Sequence, residues 1–379
     1  MRIAYFTETF LPKIDGIVIT LTHLLEYLAE KGHDSLMFAP SGTVDRYAAT
    51  QILQHRSIRP PFYPEIRMAT PAARVERKVL EFQPDVIHLV NPTLLGLAGL
   101  RVARKHSIPI VASYHTDMSG FARRWKMGAL AEPIYRFYRI VHNRADLNLV
   151  PSEFTRQQIM AKGFKRVAVW PGGVDLDRFN PAKRSPVWRQ TLSGGEPDKF
   201  IILIVSRLSP EKRVDMLLPI VQEIEGIRLA IVGDGPVRTS LESLYANTPT
   251  RFTGYLRGED LACAYSTADL FVFTGAEETF GNVVVEAMAS GLPVVAPASG
   301  GVVNLVEDGV SGLLYPPEDK RVLTSFVKQL VHDPERTRVM GRCGRTRAEG
   351  MGWEVTFDML LDRYQKLVNA MPPVTMGLV

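Results

Sequence analysis

Residues 270–296 contain a strand, a helix and a second strand in immediate succession. The apolar run from Leu270 to Phe273 predicts a buried strand, and Gly281 opens a helix that carries Glu286 on its second turn. The segment Ser-Gly-Leu-Pro-Val-Val-Ala, which begins at Ser290, then starts another strand. This order of elements is typical of an α/β fold, in which helices cover a largely parallel sheet.

The same order recurs along the whole chain. Strand, loop, helix and strand open the sequence, and the pattern restarts after a stretch rich in proline and glycine. We therefore predict two doubly wound α/β domains, at 1–172 and 199–352, joined by a linker at 173–198. Residues 41–72 have poor periodicity and predict a loop with one short strand.

Composition limits the class of protein. The chain has 379 residues, 46% of them hydrophobic, which is enough to bury two cores. Its two cysteines, Cys263 and Cys343, show no metal-ligand spacing and favour a reducing cytoplasm over a disulfide framework. Polar residues interrupt the N-terminal apolar run, so we expect no signal peptide, and no run approaches the ~20 apolar residues of a spanning helix. We expect a soluble chain or one that rests on a membrane surface.

Positive charge is concentrated in the first half, where residues 1–170 contain 23 Lys and Arg against 14 Asp and Glu. Within it, segment 119–144 interleaves basic side chains with aromatic ones, from Phe121 to Tyr138. The densest group is Arg123, Arg124, Trp125 and Lys126. On an amphipathic helix this pattern suits an anionic lipid headgroup interface, and a core helix with a basic outer face is the alternative. No nucleic-acid-binding motif accompanies the charge, so we expect no nucleic acid partner.

Two carboxylates, Glu278 and Glu286, flank the helix start at Gly281. A helix start presents unpaired N–H groups and a partial positive charge, which together hold a phosphate. The carboxylates would repel that phosphate, so we expect them to accept hydrogen bonds from sugar hydroxyls on either side of a diphosphate. A purely structural role for two glutamates beside an apolar helix stays open on this pattern alone. The turn residues that would surround the phosphate are Thr279, Phe280, Gly281, Asn282 and Val283.

Other polar side chains follow predicted strands at their carboxyl ends. Arg207 and Lys212 follow the strand at 200–205, where a guanidinium and an ammonium can bind phosphate oxygens. His115 follows the strand that begins at Pro109, and a structural histidine is the alternative there. Gly16, at the start of the first predicted helix, would let a phosphate or sugar approach the backbone closely.

The stretch EETFGNVVVEAMASGLPVVA, from Glu277 onward, resembles the signature of retaining GT-B glycosyltransferases of the family-4 type, with two glutamates separated by seven residues. Within that family the chain is most similar to GDP-mannose-dependent α-mannosyltransferases and sulfoquinovosyl-diacylglycerol synthases. The resemblance implies two Rossmann-like domains that face a central cleft, the first for the acceptor and the second for a nucleotide sugar. It also implies that the last helix, within 353–379, crosses back to the first domain.

The resemblance implies roles for the carboxylates and the histidine. Glu278 would bind hydroxyls of the donor sugar, and Glu286 would bind those of the ribose. His115, in the motif SYHTDM, would hydrogen-bond the sugar near the reacting carbon.

The same resemblance assigns the diphosphate to Arg207 and Lys212, and the nucleobase to backbone groups near Tyr255 and Leu256. With cations at the diphosphate, neither a metal nor another cofactor is expected. Residues 175–177 form the Asp-x-Asp motif of metal-dependent glycosyltransferases of a different fold, but the surrounding GVDLDRF resembles this family's linker.

We therefore expect a retaining hexosyltransferase that uses a GDP- or UDP-linked sugar and a hydroxyl acceptor. A membrane glycerolipid or glycolipid is the favoured acceptor, with the enzyme cytoplasmic or peripheral on the inner face of the plasma membrane. A soluble sugar or polyol is the alternative acceptor, and a GT-B nucleotide-sugar epimerase also stays open. A nicotinamide-dependent oxidoreductase is disfavoured because Gly233-Asp-Gly235 lacks the third glycine of the dinucleotide fingerprint. A serine hydrolase and a zinc enzyme are disfavoured because the sequence has neither a Gly-x-Ser-x-Gly elbow nor a Cys/His cluster.

Overall fold

The computed structural model describes residues 1–13, 15–58, 68–69, 74–115 and 128–370. The chain divides into two compact units, one formed by Met1–Pro171 with Trp353–Val379 and the other by Gly172–Gly352. The predicted group Arg123, Arg124, Trp125 and Lys126 lies outside the described residues.

The first unit is built on a mainly parallel sheet. Its strands are β1 (Arg2–Thr7), β2 (Asp34–Pro40), β3 (Arg46–Tyr47), β4 (Thr50–His55), β5 (Ser57–Ile58), β6 (Met68–Ala69), β7 (Val86–Val90), β8 (Ile110–Ser113), β9 (Leu147–Val150) and β10 (Val167–Val169). Eight of them form one sheet in the order β10-β9-β8-β7-β1-β2-β4-β3, in which only β3 runs antiparallel to its neighbour, and β5 pairs with β6. The helices of this part of the chain are α1 (Gly16–Glu30), α2 (Arg74–Phe82), α3 (Leu94–Lys105), α4 (Gly128–His142) and α5 (Glu153–Ala161).

The prediction of a loop with one short strand at 41–72 was wrong. Four strands, β3 to β6, fall in its described part, and β4 extends the main sheet beside β2. The strand β4 has the sequence TQILQH, whose polar residues do not predict a buried strand. In the structure, however, Thr50 and His55 are buried.

The second unit contains a six-stranded parallel sheet. Its strands are β11 (Phe200–Val205), β12 (Ile227–Val232), β13 (Thr250–Gly254), β14 (Leu270–Val272), β15 (Val294–Pro297) and β16 (Gly312–Tyr315), in the order β13-β12-β11-β14-β15-β16. Its α-helices are α6 (Pro186–Leu192), α7 (Leu218–Glu223), α8 (Arg238–Leu244), α9 (Gly258–Thr267), α10 (Asn282–Ala289), α11 (Lys320–His332) and α12 (Pro334–Glu349). Short 3-10 helices lie at Pro181–Lys183, Pro210–Lys212, Val214–Leu217 and Gly300–Asn304.

The stretch predicted as a linker, 173–198, is folded into the second unit. It contains α6, whose N-cap Ser185 accepts a hydrogen bond from the Trp188 N–H. Phe179 and Leu192 from this stretch are 6% and 0% exposed, and both belong to the core beneath α10. Proline and glycine therefore mark turns within a domain here, and not a free connection.

The last helix, α13 (Trp353–Ala370), belongs to the first unit, as predicted from the resemblance. It packs against α1 and buries Phe357, Leu360 and Tyr364. The Tyr364 hydroxyl lies 2.5 Å from Nδ1 of His88, in the middle of β7, and the Trp170 indole donates to the Thr356 carbonyl at 3.1 Å. No helix among the described residues is long and apolar enough to span a bilayer.

Candidate functional site

The candidate donor site lies at the carboxyl edge of the second sheet, where β11 and β14 are neighbours. Strands β12 and β13 continue the sheet on one side of this pair, and β15 and β16 continue it on the other. Such a reversal of strand order leaves a crevice between the two loops, and ligands of doubly wound sheets bind there. Arg207 and Lys212 lie in the loop after β11, and Glu278 lies in the loop after β14.

Lys212 and Glu278 form an ion pair directly, so the structure joins two of the predicted residues. Their side chains are 22% and 29% exposed, which leaves both accessible to a ligand. Lys212 ends a 3-10 helix, and its carbonyl accepts a hydrogen bond from the Thr274 hydroxyl. The first α-helix after β11 begins only at Leu218, so Lys212 does not lie at an α-helix N-terminus.

The loop that carries Arg207 is fixed by close contact with the Gly233-Asp-Gly235 turn. A Cβ on Gly233, which has φ of +134°, would overlap the Ser206 carbonyl oxygen, and a Cβ on Gly235 would overlap that of Leu208. The Leu208 N–H donates to the Asp234 carbonyl at 2.9 Å. This Gly-x-Gly therefore serves backbone packing, and it holds the exposed Arg207 at the tip of β11.

The loop that carries Glu278 is fixed in the same way by the residues that follow β15. The Gly301 N–H donates to the Glu278 carbonyl at 2.7 Å, and the Ser299 hydroxyl donates to the Ala276 carbonyl at 2.9 Å. A Cβ on Gly300 would lie 2.6 Å from the Glu278 carbonyl oxygen. Only glycine allows this approach of two backbones, so Gly300 and Gly301 position the carboxylate-bearing loop.

Helix α10 begins at this edge without a side-chain cap. Its N-cap is Gly281, with φ of +109°, and its first turn contains no acidic residue. Thr279, Asn282 and Val283 are partly exposed around it, while the Phe280 ring is buried. A helix start of this kind can accept an anion on its N–H groups.

Helix α1, in contrast, already holds an anion of its own. The Asp15 carboxylate accepts hydrogen bonds from the N–H groups of Ile17 and Val18, each at 3.0 Å, and it pairs with Lys13 at 3.0 Å. A phosphate at Gly16 would have to displace this carboxylate and would be repelled by it. The structure therefore disfavours the predicted phosphate contact at Gly16.

Glu286 lies on the second turn of α10 and is only partly exposed. Burial raises the pKa of its carboxyl to about 7, while a hydrogen bond from the Tyr265 hydroxyl and the nearby Arg178 guanidinium act in the opposite direction. The Tyr265 hydroxyl is 2.9 Å from Glu286 Oε2. Tyr265 was missed in the sequence because a lone aromatic residue in an amphipathic helix predicts only a core position.

The predicted base-binding residues follow β13. The Tyr255 side chain is 59% exposed, and its hydroxyl donates to the Asp234 carbonyl at 3.0 Å. Leu256 is partly buried against the core of the unit. This contact places the two residues beside the glycine turn that supports Arg207.

His115 lies in the first unit, immediately after β8 and Tyr114. The residue is partly exposed, and the centroid of its ring is 5.9 Å from that of Trp170 in an edge-on arrangement. Desolvation lowers the pKa of His115 to about 4, and the neighbouring His142 acts in the same direction against the opposing effect of Asp15. The imidazole is therefore neutral at physiological pH and can act as a hydrogen-bond donor or acceptor.

The described part of the basic aromatic segment, α4, has two distinct faces. Tyr135 and Tyr138 are only 6% and 4% exposed, so these two rings fit the alternative of a core helix with a basic outer face. Phe137 and Ile140 are 36% and 43% exposed on the outer face, where Arg136 is also exposed.

Comparison with known proteins matches both halves of the chain. The family model described as "Glycosyltransferase Family 4" matches residues 14–178, and the one described as "Glycosyl transferases group 1" matches residues 199–333. A GDP-mannose-dependent alpha-mannosyltransferase of Mycobacterium tuberculosis is 38% identical over 375 residues, which span 96% of this chain and 96% of that protein.

Two further proteins are similar to the chain, one in sequence and one in structure. Sulfoquinovosyl transferase SQD2 of Arabidopsis thaliana is 33% identical over 361 residues, which span 93% of this chain and 71% of that protein. The solved structure of Anabaena HepE in complex with UDP-glucose has a TM-score of 0.77 at 20% identity and covers 97% of this chain and 100% of that one, which supports the fold. The resemblance predicted from the sequence is thereby confirmed.

Proposed function

The chain belongs to the family-4 glycosyltransferases, and we propose that it moves a hexose from a GDP- or UDP-linked sugar to a hydroxyl acceptor with retention at the anomeric carbon. The observation that carries the proposal is the Lys212–Glu278 ion pair at the switch point of the second sheet, beside a helix without a side-chain cap. A cation that binds phosphate and a carboxylate that binds hydroxyls are the combination that a nucleotide sugar requires.

The proposed chemistry is the exchange of one anomeric C–O bond for another. When the bond to the diphosphate breaks, its electron pair stays on the phosphate oxygen. Lys212, Arg207 and the N–H groups at the start of α10 would stabilise that charge, and fixed groups of this kind lower the barrier electrostatically. The acceptor oxygen then bonds to the anomeric carbon on the same face, and the departing phosphate takes its proton. These cations supply the charge stabilisation without a divalent metal.

The remaining residues are proposed to orient the donor. Glu278 would accept hydrogen bonds from hydroxyls of the transferred sugar, and Glu286 from those of the ribose. His115, being neutral, would bond to the sugar near the reacting carbon. Tyr255 and Leu256 would meet the nucleobase through their backbone groups.

We propose a membrane glycerolipid or glycolipid as the acceptor and a peripheral location on the cytoplasmic face. The support is the outer face of α4, where Phe137 and Ile140 are exposed beside Arg136. Apolar side chains next to a cation suit the boundary between acyl chains and anionic headgroups.

Binding and turnover measurements test the donor site. Thermal unfolding of the purified protein with GDP, UDP and ADP, each with its sugars, identifies the donor, because a ligand that binds the folded state raises the midpoint. With the donor so identified, Lys212→Ala and Glu278→Ala should each lower kcat at least tenfold. Lys328→Ala, which removes an exposed lysine on α11, is the control and should stay within twofold. Near wild-type turnover in both site variants would refute the proposed roles.

Acceptor class is tested separately. The protein is mixed with liposomes that contain phosphatidylglycerol, or with neutral liposomes, and floated on a density gradient. We expect it to float with the anionic liposomes and to glycosylate diacylglycerol or a glycosyl-diacylglycerol in them. Transfer to free sugars or polyols without flotation would instead establish the soluble acceptor.

A further inference from the structure

Tyr265 is a fully enclosed aromatic residue whose single polar atom points at the donor site. It lies on α9 and is 0% exposed. Its ring packs against Phe179 and Phe271, with centroids 5.6 Å away in each case. Two rings from different segments thus fix the orientation of the side chain, and the hydroxyl reaches Glu286 Oε2 at 2.9 Å.

We propose that Tyr265 is a positioning residue for the donor: its hydroxyl holds one oxygen of Glu286 so that the other oxygen stays turned towards the ribose hydroxyls. The inference rests on the proposed function, which assigns the ribose to Glu286. In this proposal Tyr265 does not touch the substrate. It determines the orientation of Glu286, which does.

The direction of the hydrogen bond supports this role. Burial and the adjacent Glu286 carboxylate raise the pKa of Tyr265 well above its ordinary range, so its hydroxyl keeps its proton and donates. Among the described residues, Tyr265 is the one side chain that hydrogen-bonds the Glu286 carboxylate, which leaves Oε1 to accept from a ligand. A carboxylate with two acceptor oxygens can serve a fixed donor and a ligand at once.

Few charges face this carboxylate. Arg178, from the segment before α6, is the cation whose charge acts on Glu286, and it is itself engaged by Asp175, with Nε and Oδ2 at 3.5 Å. On the packed helix α12, Arg345 is bonded to the Ala289 carbonyl at 2.7 Å, at the far end of α10. In the described part of the chain, the Tyr265 hydroxyl is therefore the only hydrogen-bond donor to the Glu286 carboxylate.

The hydrogen bond between Tyr265 and Glu286 should affect how kcat/KM for the donor depends on pH. An ionised carboxylate is a stronger hydrogen-bond acceptor for ribose hydroxyls than a protonated one, so kcat/KM for the donor should fall on the acid side of the Glu286 pKa, which is about 7. The Tyr265 hydroxyl stabilises the anion and holds that pKa down. Removal of this hydroxyl should therefore move the acid limb, which is the fall of kcat/KM at low pH, to higher pH.

The test compares Tyr265→Phe with Tyr245→Phe. Tyr245 is 3% exposed in the same unit, and its hydroxyl donates to the Val214 carbonyl at 2.7 Å, so the control also removes one buried tyrosine hydroxyl. Initial rates are measured from pH 5.5 to 8.5 with the nucleotide sugar identified by its thermal shift. We expect Tyr265→Phe to raise the donor KM about three- to tenfold, the effect of one hydrogen bond, with kcat within twofold. Its acid limb should move upward by at least half a pH unit, whereas Tyr245→Phe should leave both quantities unchanged.

Glu286→Gln tests the ribose assignment of Glu286 separately from the positioning role of Tyr265. This variant should raise the donor KM and abolish the acid limb. If it does so while Tyr265→Phe leaves KM and limb in place, the positioning role is refuted and the ribose assignment stands. If Glu286→Gln changes neither quantity, the ribose assignment itself is refuted.

Discussion

The raised pKa of Glu286 predicts that its charge destabilises the ligand-free protein. The carboxyl has a pKa of about 7 in the folded chain against an ordinary value of 4.5, which corresponds to roughly 3 kcal/mol. Because the side chain is partly exposed, water screens the charge, and we expect about half of that, ~1.5 kcal/mol. The folded state binds more protons than the unfolded state between pH 4.5 and 7, so this contribution to stability is present at low pH and is lost as pH rises through 7.

Glu286→Gln removes the titration and keeps the acceptor for Tyr265. We therefore expect the variant to exceed the wild type in free energy of unfolding by ~1.5 kcal/mol at pH 8 and to differ little at pH 4.5. Urea unfolding without nucleotide, followed by circular dichroism at both pH values, measures the difference. Glu225→Gln, at an exposed side chain that forms no ion pair within the described part of the chain, is the matched control and should have no effect. A variant no more stable than the wild type at pH 8 would refute the reasoning.

Three further predictions concern a glycine beside the loop that carries Glu278 and two side chains of the first unit. Gly301→Ala should lower kcat at least tenfold, because its Cβ would lie 2.6 Å from the Thr279 carbonyl carbon. Gly350→Ala is the control, since the nearest atom to its Cβ would lie 3.7 Å away, and its kcat should stay within twofold of the wild type. Initial rates measure both effects. Tyr364→Phe should lower the free energy of unfolding by about 1–3 kcal/mol in urea, since it leaves a buried imidazole without its partner. His115→Asn should change kcat by a similar factor at every pH from 5.5 to 8, because a histidine with a pKa of about 4 does not titrate there; a new or lost limb in the pH profile would contradict this.

The fold was predictable from the sequence wherever a strand is buried on both faces. The run from Leu270 to Phe273 is uniformly apolar, and β14 lies there. The strand β4 was not predictable because its polar residues become buried only when tertiary contacts form. For the same reason, segment 173–198 has the sequence pattern of a connection, although its Phe179 and Leu192 pack in the core of the second unit.

Within the site, charged residues were predictable and their supports were not. Glu278 and Lys212 follow different strands at the same sheet edge, so the topology brings them together and the sequence indicates both. Tyr265 and Asp15 gave no such signal. The role of Tyr265 depends on a contact between two helices, and that of Asp15 depends on which N–H groups its carboxylate reaches. Both are properties of packing, which a single-residue pattern does not contain.

The means by which the charged loops are held decides how substitutions at the site should be interpreted. Gly235 packs against the backbone of the loop that carries Arg207, and Gly301 packs against the backbone of the loop that carries Glu278, with no side chain between them. Main-chain contacts of this kind do not depend on the charged side chains that the loops present. Truncating Lys212 or Glu278 should therefore leave the loops in place, and a resulting loss of turnover measures missing charge or hydrogen bonding. Alanine at either glycine does the reverse, because it keeps every charge and moves the backbone that carries it.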